Sequence, residues 1–232
     1  TAFMATVGKI AAFGALLKLL SYLCFGVAPY WPALIALLGG FSMLGGNLMA
    51  LQQKSVKRLL AYSSIAHAGY LTLSAFTISP ASLSAFFFYS LAYAIASLGS
   101  FLVVSLLEDE NGNVSLSGLA YRSPLLSAVM ITSLFSLAGI PPFSGFFGKY
   151  MVFACALREG YLGIVLLAVF ASITGAVYYL RLLPMLFEKE GATSLSSPVR
   201  KSGSDKVLAV VVIIGNLGFG LLAGWILDAL HL

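Results

Sequence analysis

The feature that most constrains this chain is an apolar run, Leu125–Leu157, whose middle is interrupted by glycines, two adjacent prolines and a lysine. Gly139, Pro141 and Pro142 mark the interruption. Adjacent prolines remove two backbone donors and clash with the preceding turn, so a helix cannot continue through them. Broken backbone at membrane depth is tolerated only where protein buries it or where it lines a hydrated cavity. We therefore expect a broken transmembrane helix.

The composition places this run in a membrane protein. Of the 232 residues, 60% are hydrophobic and only 9% are charged, and the mean hydropathy is +0.99. Soluble domains carry roughly a quarter charged residues. The basic residues behind the net charge of +5 cluster in connecting segments, a pattern that reports orientation in a membrane and argues against nucleic-acid binding. The predicted fold class is an all-α polytopic membrane protein.

Apolar runs of about 20 residues are long enough to cross a bilayer, and we predict seven. They are Thr1–Val27, Trp31–Leu51, Val56–Ile78, Ala81–Leu107, the broken Leu125–Leu157, Tyr161–Phe187 and Val207–Leu230. A polar connector, residues 188–206, precedes the last span. Because the sequence starts at Thr1 directly in apolar residues, without a signal-peptide pattern, we interpret it as the C-terminal portion of a longer protein.

The charge distribution decides how often the broken run crosses. Its halves, Leu125–Ile140 and Phe143–Leu157, are each too short to span alone. If they cross once together, the basic loops after the second, fourth and sixth spans share one side, and the opposite side keeps only Arg158. Basic loops mark the cytoplasm. We predict one broken crossing, with the start of the first span inside and the C-terminus outside.

Two lysines are the sharpest candidates for chemistry, Lys9 in the first span and Lys149 just after the break. Burial disfavours the charged form of a lysine, so a buried lysine can exchange protons near neutral pH. The alternative is snorkelling, in which the long stem carries the ammonium to the membrane surface. Snorkelling is the preferred interpretation for Lys18, and a proton-relay function is preferred for Lys9 and Lys149.

His67 is the third candidate, because imidazole titrates closest to neutral pH. Ser63 and Tyr70 lie one turn to either side of it on a polar face. Further polar stripes follow the fourth and sixth spans: Tyr89, Tyr93, Ser97 and Ser100, and then Thr174, Tyr178 and Arg181. Converging stripes predict a hydrated interior. The alternatives are a histidine satisfied within the core, and hydroxyls that only pack helices together.

Some expected features of an enzyme are missing from the sequence. No carboxylate lies in the middle of a span, so any acidic partner of the lysines is expected outside this sequence. Cys24 and Cys155 lie in apolar runs and are interpreted as core residues. We find no phosphate loop and no metal-ligand spacing, and therefore expect no cofactor and no metal in this chain.

The segment Asn47–Tyr70 resembles the central signature of the antiporter-like subunits of respiratory complex I, and is most similar to subunit N (subunit 2) of NADH:quinone oxidoreductase. Met4–Phe13 and Ser136–Tyr150 are similar to the same subunit, in the same order. The resemblance covers nearly the whole chain and weakens in the connector and the last span. It implies fourteen helices in two inverted five-helix repeats, each with one broken helix, of which this chain resembles helices eight to fourteen.

The resemblance also implies roles for residues. Lys9 corresponds to the lysine between the two half-channels, Lys149 to the lysine of the second broken helix, and His67 to the membrane histidine. It implies domains at 1–27 (linking helix), 31–187 (five-helix repeat), 188–206 (connector) and 207–232 (last helix). The first repeat, with its own lysine and glutamate, would be missing.

The expected function is proton translocation coupled to NADH oxidation and quinone reduction. NADH, FMN, iron–sulfur clusters and quinone are expected in partner subunits, and the partners are other membrane subunits of complex I and the lipid bilayer. The expected location is the bacterial cytoplasmic membrane. The alternatives are a subunit of a multisubunit cation/proton antiporter and a scaffold subunit that moves no protons.

Overall fold

The computed structural model describes residues 6–23, 31–75, 79–109, 112–188 and 203–225, and these ranges are helical apart from short turns and one isolated bridge. The helices are α1 (Val7–Leu23), α2 (Trp31–Leu51), α3 (Val56–Thr72), α4 (Pro80–Leu107), α5 (Leu119–Arg122), α6 (Pro124–Ala138), α7 (Ser144–Arg158), α8 (Leu162–Leu186) and α9 (Gly203–Leu221). A 3₁₀ turn, Leu73–Ala75, extends α3. The all-α fold class is confirmed.

Among the described residues, three helices are long and apolar enough to cross a membrane, namely Pro32–Leu51 of α2, α4 and α8. Their bounds agree with the predicted second, fourth and sixth spans to within one residue. Both ends of the predicted first span lie outside the described residues, and so do the C-terminal ends of the predicted third and last spans. The count of seven crossings and the division into a linking helix, a repeat, a connector and a last helix stay predictions.

The lipid-facing character of these helices is visible in their exposed side chains. Phe41 of α2 is 70% exposed and Phe170 of α8 is 64% exposed, and both helices carry further exposed leucines. Contiguous apolar surface of this kind is unusual on soluble monomers. The buried positions, in contrast, include hydroxyls, an amide, a histidine and a lysine. The bundle is therefore apolar outside and partly polar inside.

The break in the fifth predicted span is confirmed. Helix α6 ends at Ala138, Gly139 adopts a left-handed conformation with φ of 81°, and α7 begins at Ser144 after the two prolines. Each half has 15 residues, about 22 Å at the rise of an α-helix. This is shorter than the roughly 30 Å hydrocarbon core, so neither half crosses alone.

Helices α6 and α7 pack one after the other along α4. Gly99 of α4 lies against Val129 and Ser133 of α6, whereas Tyr89 of α4 lies against Gly148 of α7. The path from α6 to α7 therefore advances along α4 by ten residues, about 15 Å, and runs antiparallel to it. This arrangement favours the single interrupted crossing over two separate ones.

The polar loop between α4 and α6 is more ordered than the sequence indicated. Glu108 forms an antiparallel bridge with Val114 and an ion pair with Lys57 at the start of α3. The short helix α5 follows, which the sequence did not predict. These contacts tie the loop to the ends of α3 and α4.

Candidate functional site

Lys149 lies one and a half turns into α7, and only 5% of it is exposed. Its Nζ donates to the carbonyl oxygens of Leu137 (3.0 Å) and Ala138 (3.1 Å) and to Oγ of Ser172 on α8 (2.9 Å). The two carbonyls belong to the last turn of α6, where carbonyls lack partners within the helix and where the helix dipole favours a cation. The break thus supplies the polar partners of the lysine.

Two glycines permit this arrangement. Gly139 needs its positive φ, and a Cβ there would stand 3.1 Å from Cδ and 3.3 Å from Nζ of Lys149. A Cβ on Gly145 would collide with the carbonyl of Ser136, so only glycine lets the start of α7 lie against the end of α6. The Gly145 N–H donates to Ser136 Oγ at 3.1 Å, and Ser144 Oγ lies 3.2 Å from the same oxygen. Protein groups therefore satisfy the broken backbone.

His67 lies on α3 with 3% exposure, between α4 and α8. Its Nδ1 is 2.7 Å from the Tyr89 hydroxyl, and its Nε2 is 3.2 Å from the Tyr179 hydroxyl. The ring stacks on Tyr93, with centroids 4.8 Å apart. Both ring nitrogens are thus engaged by hydroxyl groups, which can donate or accept.

A chain of polar side chains leads from His67 to Lys149. Tyr179 interacts with its neighbour Tyr178, whose hydroxyl donates to Asn47 Oδ1 at 2.9 Å. Asn47 Nδ2 donates in turn to the Tyr70 hydroxyl at 3.1 Å. Tyr70 interacts with Ser172, the serine that accepts from Lys149. The Lys149 ammonium also lies 5.1 Å from the centre of the Tyr70 ring.

Lys9 approaches the same group of residues from α1. Its Nζ donates to Ser64 of α3, to the hydroxyl at 2.7 Å and to the carbonyl at 2.9 Å. Ser64 interacts with Tyr93, the residue that stacks on His67. Lys9 is half-buried, unlike Lys149.

The three candidate residues form one electrostatic group. Both Lys149 and Lys9 are near enough to His67 to act on it by Coulombic repulsion. Four carboxylates of the described ranges are exposed: Glu108, Asp109, Glu159 and Glu188. In the same ranges no cluster of histidine, cysteine or acidic side chains is arranged to hold a metal ion.

Most of the polar residues predicted from the sequence are buried inside the bundle. Ser63, His67 and Tyr70 are buried on one face of α3, and the polar stripe of α4 is buried as well. Ser63 donates to its own helix, to the Leu60 carbonyl, and interacts with Tyr179.

The prediction of an interior polar stripe on α8 was only partly right. Tyr178 joins the network, but the Thr174 hydroxyl bonds to the Phe170 carbonyl of its own helix. Arg181 is exposed and donates to the Leu51 and Gln53 carbonyls at the end of α2. Arg181 therefore caps a helix and takes no part in the network.

Four members of the network were not singled out from the sequence: Asn47, Ser64, Ser172 and Tyr179. Ser172 and Tyr179 are seven residues apart and share one helical face, a spacing that could have revealed them. Asn47 could have been recognised as the one amide of α2, since polar groups at membrane depth need partners.

Comparison with known proteins agrees with this architecture. Residues 1–175 match a family model described as NADH:quinone oxidoreductase/Mrp antiporter, TM. NADH-quinone oxidoreductase subunit N 2 of Acidobacterium capsulatum is 44% identical over 209 residues, which are 86% of this chain and 42% of that protein.

Two solved structures have the same fold. A chain of respiratory complex I from Thermus thermophilus with bound aureothin superposes with a TM-score of 0.82 and 39% identity, over 99% of this chain and 50% of that one. A chain of the Mrp complex from Dietzia sp. gives a TM-score of 0.73 at 24% identity, over 86% of this chain and 46% of that one.

The chain spans about half the length of the curated relatives it matches. The matched segment contains the broken helix, Lys9, His67 and Lys149, and it ends at residue 175, before Tyr178 and Tyr179 of the polar network. The chain belongs to the NADH:quinone oxidoreductase/Mrp antiporter transmembrane family.

Proposed function

We propose that the chain is part of a proton-translocating membrane subunit of NADH:quinone oxidoreductase. The observation that carries the proposal is the series of buried polar side chains that lies between Lys149 and His67, inside a bundle whose outer surface is apolar. Ionisable residues inside membrane bundles are costly and commonly serve ion or proton pathways.

Lys149 is the proposed terminal proton carrier. Its ammonium has three N–H donors and meets three acceptors, so the protonated form is fully hydrogen-bonded. Desolvation at the same time opposes the charge. A group held between these two influences can both take up and release a proton, as a relay requires.

His67 is the proposed intermediate carrier. A neutral imidazole donates from one ring nitrogen and accepts at the other. Because each nitrogen faces a tyrosine hydroxyl, a proton can arrive at one nitrogen and leave from the other. Tyr70 and Ser63 are proposed to support this path by hydrogen bonding.

Electrostatic repulsion links the carriers. Lys9 and Lys149 both lie near enough to His67 for Coulombic interaction with it. In a low-dielectric interior, a charge gained by one group makes a charge on its neighbour less favourable. A proton arriving at either lysine would therefore oppose protonation of His67.

The redox steps are proposed to lie in partner subunits that carry NADH, FMN, iron–sulfur clusters and quinone, with the adjoining membrane subunits of complex I and lipid as direct neighbours. The proposed location is the cytoplasmic membrane of a bacterium, with multiple crossings. Support comes from the relatives, which are NADH-quinone oxidoreductase subunits of bacteria.

A cation/proton antiporter subunit is the second candidate. It is favoured by the family description, which includes Mrp antiporters, and by the superposition on the Dietzia chain, which bears on the fold alone. Sodium-driven proton movement without NADH-linked activity would select this function over the first.

The deciding experiment is Lys149→Ala in the full-length protein, assembled and measured in membrane vesicles. NADH-driven quinone reduction and proton uptake are followed side by side, with Lys18→Ala, an exposed lysine of α1, as the matched control. We expect Lys149→Ala to abolish proton uptake and Lys18→Ala to preserve it. Unchanged uptake in a fully assembled Lys149→Ala complex would leave the scaffold function as the better explanation.

A further inference from the structure

A second polar site lies on α9, which contacts the broken helix at Pro142. Asn216 is completely buried, and neither its amide nitrogen nor its amide oxygen has a hydrogen-bond partner. Ser133 of α6 is also completely buried, and its hydroxyl likewise has no partner. Buried polar groups are nearly always satisfied by protein or by ordered water, so these atoms require an explanation.

The two side chains face the same seam between helices. Val212 of α9 and Ser133 both lie against Gly99 of α4. One turn further along α9 is Asn216, and one turn beyond that Gly220 lies against the backbone of Pro142. Residues four apart share a face, so Asn216 stands between the level of Ser133 and the level of the break.

The other buried asparagine shows what a satisfied amide looks like in this bundle. Asn47 donates to the Met43 carbonyl and to Tyr70, and it accepts from Tyr178. Asn216 could have bonded back to its own helix in the same way as Asn47 but does not. Its one acceptor and two donors are directed into the seam.

We propose that Asn216 and Ser133 bind ordered water in the seam between α4, α6 and α9. The chemistry fits water better than any larger ligand, because the site offers one amide and one hydroxyl, and the apolar Val129 and Val212 lie with Ser133 against Gly99. Water can donate to the amide oxygen and the hydroxyl, and can accept from the amide N–H groups. The seam reaches the broken helix where Gly220 lies against the backbone of Pro142. Its use as a branch of the proton path rests on the proposed function; the binding of water does not.

Millisecond hydroxyl-radical footprinting of the assembled complex tests the water site, because radicals form from bound water and label apolar side chains beside it. Val212 and Leu119 are both buried, at 3% and 0% exposure, but only Val212 lies at the seam. We expect Val212 to be labelled and Leu119 to stay unlabelled. Equal absence of label at both residues would overturn the proposal.

Two variants extend the test. Asn216→Leu replaces the amide with an apolar group of similar size and should remove the label at Val212, and Ser133→Ala, the smaller change, should reduce it. Persistence of the full label in an assembled Ser133→Ala or Asn216→Leu complex would overturn the assignment of the water to these residues.

Proton uptake by Asn216→Leu then decides the transport role separately. Slower uptake with unchanged quinone reduction supports a branch of the proton path. Loss of the label with unchanged uptake overturns that role and leaves the water site standing. If Lys149→Ala has no effect on uptake while Val212 is labelled in the unaltered complex, the proposed function fails and the water site does not.

Discussion

Lys149 and Lys9 show two ways to hold a lysine inside a membrane bundle. Lys149 is enclosed by three acceptors from two helices, and the broken helix itself provides two of them. Lys9 is half-buried, and its Nζ donates to two oxygens of Ser64. The first site depends on a specific interruption of backbone structure, whereas the second needs only a serine on the neighbouring helix.

This difference predicts that proton transport is more sensitive to substitution at Lys149 than at Lys9. An enclosed group tolerates little change in size or charge, because its surroundings are close-packed. A half-buried lysine can redirect its long stem. We therefore expect the two lysines to respond differently to the same change, and the following experiments are arranged from the largest expected effect to the smallest.

The first compares Lys149→Arg with Lys9→Arg in the full-length protein. A guanidinium does not release its proton at accessible pH, and at position 149 its fork must also fit beside Gly139. We expect proton uptake to fall by at least about tenfold in Lys149→Arg, since a positioned proton donor contributes roughly 10²- to 10⁴-fold. Lys9→Arg also removes a releasable proton, so its uptake should fall as well, but by less, because the half-buried site can accommodate the fork and the Ser64 oxygens can accept from it.

The effect of each variant is measured as proton uptake in vesicles, normalised to quinone reduction. Equal losses in the two variants would show that enclosure does not distinguish the lysines.

The second experiment tests the glycine that shapes the enclosed site. Gly139→Ala places a side chain at φ of 81°, which costs about 1–2 kcal/mol, and directs a Cβ at the Lys149 stem. We expect a lower thermal stability of the assembled complex together with reduced proton uptake.

Gly163→Ala is the matched control, because Gly163 is helical and a Cβ there meets no atom within 4 Å. If both variants behaved like the unaltered protein, Gly139 would have no part in holding Lys149.

The third and smallest effect is expected for Ser64→Ala. Lys9 loses the hydroxyl acceptor but keeps the Ser64 carbonyl, so the loss is that of one hydrogen bond, about 1 kcal/mol. Proton uptake should slow by about fivefold at most, the equivalent of that energy. Ser105→Ala is the control, since its exposed hydroxyl bonds only to its own helix. A loss as large as that of Lys149→Arg would contradict the comparison.

Much of the fold could be predicted because membrane solvation and proline geometry act locally. The double proline had to end α6, and the apolar runs fixed α2, α4 and α8 almost to the residue. The ion pair of the loop at Glu108 could not be predicted, because Lys57 and Glu108 are 51 residues apart in sequence.

The site was predicted less completely, for a physical reason. Lys9, His67 and Lys149 stand out because charge is rare at these depths, and the structure brings them together. On α8, however, hydroxyls occur on two faces, through Thr174 and through Ser172. Only the positions of α2 and α7 decide which face is interior. Asn47 likewise finds Tyr178 131 residues away, a pairing that no local pattern contains.

The three acceptors around Lys149 are not equivalent. Two are backbone carbonyls, which can only accept, and the third is the Ser172 hydroxyl, which can also donate. An uncharged amine has two N–H groups and one lone pair, so after losing its proton Lys149 can satisfy all three neighbours only if the serine O–H rotates towards it. The orientation of the Ser172 O–H bond therefore depends on the charge of Lys149. Tyr70 interacts with that serine, so it is the next side chain whose hydrogen bonding would change when Lys149 loses its proton.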